Sequence, residues 1–261
     1  MDQIIDLSRY PLDRPESPAW QALVEQCRGE LLELGMFNLP GFLHETRSKA
    51  IAAELDLLFH TKAFHHSRLH NIYFRNEMDG LAKDHPALRQ NKTSNRTLCA
   101  DQIGPSPLVE LYEWPPFARF LATVIGKPEL HPMADPLARI NVMAYQEGEA
   151  LNWHFDRSEF TTTLLLQEPD QGGVFEYARD LRSAENPNYD GVGDLLNGVL
   201  RPKQMQLGVG TLNVFRGVNT AHRVTPVVGP TARMIAVFSY FDRPGIEFSA
   251  EERIGFYGRK D

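Results

Sequence analysis

His154, Asp156 and His222 are the residues of this chain best suited to carry chemistry. They stand in Asn152-Trp153-His154-Phe155-Asp156 and in Ala221-His222-Arg223-Val224. Two imidazoles and one carboxylate hold one face of an octahedral ion and leave the other face open. That arrangement suits a non-haem Fe(II) centre that binds a cosubstrate and O2 together. His154 and Asp156 are two positions apart, so an extended segment projects both to one face. His222 must reach the same ion from another strand. A His-x-Asp pair by itself carries little information. The chain has nine histidines, and His65, His66 and His70 read as surface or loop residues. Order along the chain adds the weight. A β-rich segment, Thr161 to Leu166, follows the first pair, and Gly210 to Phe215 leads into His222. Arg233 opens the next strand, with Ser239 further along. Arginine offers a planar fork matched to a carboxylate. Arg233 is therefore the candidate partner for the far carboxylate of a metal-chelating 2-oxo acid. Its bland alternative is a surface arginine paired with an acid.

The elements that must position these residues fall in two halves. The first hundred residues read as mostly helical. After the turn-rich Pro11 to Pro18, apolar positions Leu23, Cys27, Leu31 and Leu34 recur at helical spacing. Gly35 sits where a helix end wants a left-handed residue. Met36 to Leu39 reads as a short strand stopped by Pro40-Gly41, with a second helix from about His44 to Phe59. A third helix is expected around Pro116 to Ile125, ended by Gly126. From about Leu137 the pattern turns to β, with strands expected at Ala138 to Tyr145, Phe160 to Leu166, Gly173 to Tyr177, Thr211 to Phe215 and Met234 to Tyr240. Helices followed by many short strands imply an α+β fold, a jelly-roll or cupin-like barrel flanked by N-terminal helices. The expectation is one catalytic domain over residues 1–261. Residues 1–136 form mainly helical support, 137–245 the jelly-roll core, and 246–261 a C-terminal tail near the active site. Arg179 to Lys203 shows little periodicity and reads as a long loop or lid.

The bulk properties exclude several function classes. The chain has 261 residues, 42% of them hydrophobic, enough for a sizeable core. No apolar run has membrane-spanning length, and the N-terminus lacks the pattern of a signal peptide. The two cysteines, Cys27 and Cys99, are too few for a disulfide framework and read as small buried hydrophobes. A cytoplasmic location is the default. The formal net charge is -7, and the basic residues form no stripe. Nucleic acid is thus an unfavoured partner, and a small-molecule substrate is expected.

With these residues in place, the chain resembles the Fe(II)/2-oxoglutarate-dependent dioxygenase superfamily. Its His-x-Asp…His…Arg order matches His154, Asp156, His222 and Arg233. Further segments look like the branch of free amino-acid hydroxylases and radical halogenases that includes the lysine halogenases. These are Asn71-Ile72-Tyr73-Phe74-Arg75-Asn76, Asn152 to Phe160, Ala221 to Pro226, and Arg253 to Arg259. The resemblance implies a double-stranded β-helix. It implies Fe(II) on His154, Asp156 and His222, with 2-oxoglutarate on Arg233 and O2 as co-reactant. Succinate and CO2 are the co-products, and ascorbate serves as reductant in vitro. In the halogenases a glycine replaces the carboxylate ligand and opens a position for chloride. Here that position is Asp156, so hydroxylation is expected.

A free amino acid needs a partner for its carboxylate. Arg75 is the first candidate, with Arg157 and Arg96 behind it. Asp135 and Glu159 are candidates to meet a cationic amine or side chain. Phe256 and Tyr257 are candidates to fold over the mouth as an apolar or cation–π wall. Two other readings stay open at this point. One is a hydrolase or isomerase on a cupin-like barrel, using zinc or manganese to activate water. The other is a non-catalytic small-molecule binder. Arg233 favours the oxygenase, because a hydrolase needs no 2-oxo acid anchor.

Overall fold

A computed structural model describes residues 1–75, 78 and 80–261. Asn76, the last residue of the Asn71 segment singled out above, lies outside the described residues. The chain begins with α1 (Pro18–Leu34), β1 (Met36–Leu39), α2 (Glu45–Thr61), β2 (Phe64–His70) and β3 (Asn91–Cys99). Then come α3 (Ala100–Ile103), α4 (Pro107–Glu113), α5 (Pro115–Ile125) and the short β4 (His131–Pro132). The β-rich half holds β5 (Ile140–Tyr145), β6 (Leu151–His154), β7 (Thr161–Gln167), β8 (Gln171–Gly172) and β9 (Phe175–Ala178). After α6 (Tyr189–Leu196) it continues with β10 (Lys203–Met205), β11 (Leu212–Phe215), β12 (Ala221–Val224) and β13 (Val227–Val228). β14 (Arg233–Phe238), β15 (Tyr240–Phe241) and α7 (Ala250–Tyr257) complete the chain.

Local signals explain the helix ends. The Ser17 hydroxyl accepts the Trp20 N–H at the start of α1, Pro18 fills the first helical position, and Gly35 closes the helix at φ 78°. Gly126 ends α5 in the same left-handed way, at φ 76°. α5 buries Phe117, Phe120, Leu121 and Val124, each worth roughly 1.5–3 kcal/mol of apolar burial.

Two antiparallel sheets build the β half. The larger has seven strands in the order β1-β11-β7-β14-β5-β3-β2, and the smaller has four in the order β10-β9-β12-β6. Side chains alternate across the larger sheet. Ile140, Val142, Leu164, Leu212, Met234 and Ala236 face the helices and share one core with residues of α1, α2 and α5. The intervening Asn141, Met143, Thr163, Asn213, Arg233 and Ile235 line a cavity of about 420 Å³. The smaller sheet supplies His154, Phe175 and His222 to the same cavity.

Two expectations are corrected here. Residues 1–136, expected as mainly helical support with one short strand, supply β2 and β3 to the larger sheet besides the expected β1. The apolar period misses β2 and β3 because, apart from Leu98 and Cys99 at the end of β3, their buried positions are polar: His70, Thr93, Asn95 and Thr97. Arg179 to Lys203 is not one long loop. It contains α6, whose Val192 and Leu195 pack with Ile72, Trp153 and Phe155 behind the site strand.

Candidate metal centre

β6 and β12 pair in antiparallel register with His154 opposite His222, so the two imidazoles are neighbours in one sheet. Their ring centroids lie 4.1 Å apart. Asp156 follows the end of β6, and its Oδ1 lies 3.3 Å from Nε2 of His154 and 3.4 Å from Nε2 of His222. The three donor atoms lie within 4.8 Å of one another, the one such grouping among the described residues.

The surroundings fix how each donor points. Nδ1 of His154 donates to the Asn152 carbonyl at 2.8 Å, and Nδ1 of His222 to the Thr220 carbonyl at 2.9 Å. With Nδ1 protonated, each ring keeps its Nε2 lone pair for a metal. Asp156 Oδ2 accepts the Thr161 hydroxyl at 2.5 Å, which leaves Oδ1 to face the two rings. The Asp156 N–H donates to the Gly217 carbonyl at 3.0 Å. Burial alone would raise the Asp156 pKa, but His222 and His154 overturn this and hold it well below the usual range. Burial lowers His154, with His222 adding to it. Burial also opposes protonation of His222, yet the Asp156 charge wins and raises its pKa. Two neutral ring nitrogens and one carboxylate oxygen fit a divalent first-row metal.

Arg233 enters the same cavity from β14. It is 3% exposed, and its Nη1 has no hydrogen-bond partner among the described residues. Burial lowers its pKa, with Tyr145 partly opposing. A buried guanidinium without an acid is costly unless an anion arrives. Gly173, at φ +60°, leaves room for it, since an added Cβ there would lie 2.9 Å from Arg233 Cδ.

The substrate candidates divide. Arg157, Phe256 and Tyr257 line the cavity. Arg157 is also ion-paired with Glu252 at 2.5 Å and lies over Phe256. Tyr257 donates to Asn141 Oδ1 at 2.8 Å, which docks α7 against the site. Arg75 is exposed and absent from the lining, and its backbone N–H is tied to Asn71 Oδ1 at 3.1 Å. Arg96 is not in the lining either. Asp135 is fully buried elsewhere, consumed by the N–H groups of Leu137, Ala138 and Phe248 and by Arg253 at 2.8 Å. Glu159 pairs with Lys127 at 2.7 Å, outside the cavity. Neither acid meets the candidate substrate space.

Sequence reading missed several cavity residues. His66 and His70, taken as surface residues, line it from β2, as do Arg68 and the polar row Thr93, Asn95 and Thr97. The alternation of Thr93, Asn95 and Thr97 was an available signal, hidden by its polarity. Gly217 was missed too: a side chain there would collide with Asp156.

Comparisons with known proteins agree with this geometry. No curated protein matches the chain. Among solved structures, an oxidoreductase of the 2OG-Fe(II) oxygenase family from Burkholderia pseudomallei aligns at 16% identity and TM-score 0.52, covering 85% of this chain and 92% of that one. A Pseudomonas putida prolyl-4-hydroxylase aligns at 14% identity and TM-score 0.51, covering 83% and 98%. The non-heme alpha-ketoglutarate-dependent epimerase SnoN from nogalamycin biosynthesis aligns at 14% identity and TM-score 0.56, covering 85% and 83%. These likenesses show a shared fold. The model of the family "HalD: Halogenase D" matches residues 19–251. The chain belongs to the halogenase D family.

Proposed function

We propose that this protein is an Fe(II)- and 2-oxoglutarate-dependent hydroxylase acting on a C–H bond of a free amino acid or similar small molecule. One observation carries the reading: the Asp156 carboxylate lies within 3.4 Å of the Nε2 atoms of His154 and His222, with Arg233, unpaired among the described residues, in the same cavity. We read the two sheets as a double-stranded β-helix, and residues 1–261 as one catalytic domain. His154, Asp156 and His222 would hold Fe(II), and Arg233 would hold the far carboxylate of 2-oxoglutarate. When bound, iron with 2-oxoglutarate and O2 supplies an oxidant that takes hydrogen from carbon and returns hydroxyl, with succinate and CO2 as co-products. The chain's own part is to orient and exclude. Asn152 and Thr220 hold the imidazole tautomers, Thr161 turns the carboxylate, and Phe256 with Tyr257, both in the cavity lining, would wall the substrate space.

The family's name points to halogenation. Against that stands Asp156, whose oxygen fills the position a halide needs. Hydrolysis by zinc or manganese leaves the buried Arg233 without a task. The test begins with anaerobic addition of Fe(II) and 2-oxoglutarate, which should give a weak visible charge-transfer band. A succinate-release screen across the free amino acids, with ascorbate present, then finds the substrate. A product heavier by one oxygen supports hydroxylation. A chlorinated product, or a protein that forms no band, overturns it.

A further inference from the structure

Arg68 on β2 lines the cavity. Its guanidinium lies 4.5 Å from the ring centroid of Phe74 and 5.8 Å from that of Phe256. Among the described residues it has no ion pair, and its buried Nε has no hydrogen-bond partner. Aromatic contact holds the plane of a guanidinium without using its in-plane N–H groups. Those donors stay free for a planar oxyanion.

The charge of the cavity points the same way. Among the described residues, the one carboxylate in the lining is Asp156. Asp135 is spent on Arg253, Glu159 on Lys127, and Glu252 on Arg157. A divalent ion, the Asp156 carboxylate, a dianionic cosubstrate and the Arg233 cation together sum to neutrality. His66 and His70 add no charge near neutral pH, because burial pushes both imidazoles down to about 4. Arg68 is then a half-buried cation with no counter-charge among the described residues, which is costly. A cationic side chain would meet no carboxylate of the described residues there apart from Asp156, and would face Arg68 instead.

We propose that the substrate binds as an anion of net charge minus one, with Arg68 between Phe74 and Phe256 as the partner of its carboxylate. The proposal rests on the reading of the site as an Fe(II)/2-oxoglutarate centre, and it excludes lysine, ornithine and arginine as substrates. An acidic amino acid and a simple carboxylic acid share the required chemistry, and the assay separates them.

The test is anaerobic calorimetry on the full chain loaded with Fe(II) and saturating 2-oxoglutarate. The probes are L-glutamate, hexanoate, L-norleucine and L-lysine. At least one anion should bind about tenfold or more tightly than norleucine and lysine, the scale of one charged hydrogen-bonded contact. Arg68→Gln should remove that preference by about 10- to 100-fold, and Arg68→Lys should keep part of it. Both variants should keep the charge-transfer band, which reports a folded and loaded metal site. Tighter binding of glutamate assigns an acidic amino acid, and tighter binding of hexanoate assigns an amine-free acid. Lysine or norleucine binding as tightly as the anions overturns the proposal. So does unchanged anion affinity in Arg68→Gln. A wild-type protein without the band overturns the underlying reading, and the proposal with it.

Discussion

Gly217 and Asp156 fit together only because position 217 has no side chain. A Cβ built on Gly217 would lie 2.7 Å from Cγ and 2.8 Å from Cβ of Asp156, while the Gly217 carbonyl accepts the Asp156 N–H at 3.0 Å. The loop before β12 therefore sets the carboxylate that β6 leads into. Gly217→Ala is expected to push Asp156 off the two imidazoles and weaken metal binding by about 10- to 100-fold, the usual scale for disturbing a ligand's support. Equilibrium metal titration with circular dichroism checks it. Wild-type affinity in a folded variant would show that the carboxylate tolerates the crowding.

Removal of a donor should be more severe. His222→Ala is expected to abolish succinate formation while the protein remains folded, because the core packs on the far face of the larger sheet. Asp156→Gly is expected to lose hydroxylation. Mass spectrometry of products, with chloride present, reads both variants. Wild-type turnover in His222→Ala would remove that residue from the centre. Unchanged hydroxylation in Asp156→Gly would contradict the ligand assignment.

Arg233 should act on the cosubstrate rather than on the metal. Arg233→Gln is expected to raise the KM for 2-oxoglutarate by about 10- to 100-fold, the worth of a charged hydrogen-bonded pair, with Fe(II) affinity unchanged. Gly173→Ala crowds the same side chain and should raise that KM in the same direction. Steady-state kinetics across 2-oxoglutarate concentrations measures both. A fall in kcat alone, with KM unmoved, would place the anchor elsewhere.

Stability should fall with acid in a defined window. His70 Nδ1 donates to the Asn71 carbonyl at 3.0 Å, and Nε2 accepts from the Thr93 hydroxyl at 2.7 Å, so the neutral ring is fully bonded. Burial lowers the pKa of His66 and of His70 from 6.5 to about 4. Between those values the unfolded chain binds more protons than the folded one. Their contribution is then complete above the unfolded pKa and is lost as pH falls toward the folded one. Thermal denaturation of the metal-free protein should show Tm dropping through this window. His70→Gln, which can make the same two bonds without titrating, should drop less. An equal drop in the variant would assign the acid sensitivity to other groups.

Much of the site was legible in the sequence, for a local reason. The two-residue spacing of an extended segment points to His154 and Asp156 sharing one side, although β6 ends at His154 and the Gly217 loop completes the placement of Asp156. Caps are equally local, so Gly35 and Gly126 mark the ends of α1 and α5 before any packing is known. β2 and β3 were not legible, because the residues they turn to the cavity are histidine, arginine, threonine and asparagine. A search for apolar alternation passes over such strands.

The sequence alone singled out the three candidate donors, most strands of the β half and the arginine that follows the second histidine. These follow from residue type and short spacing. Only the tertiary structure decided which charges are spent and which are free. Asp135 and Glu159 lie near the site strands in sequence, yet Arg253 and Lys127 take them. Arg68, which looks ordinary in sequence, reaches the cavity with no acid beside it among the described residues. The reason is physical: a side chain's direction depends on its own strand, but its counter-charge comes from whatever distant segment packs across from it.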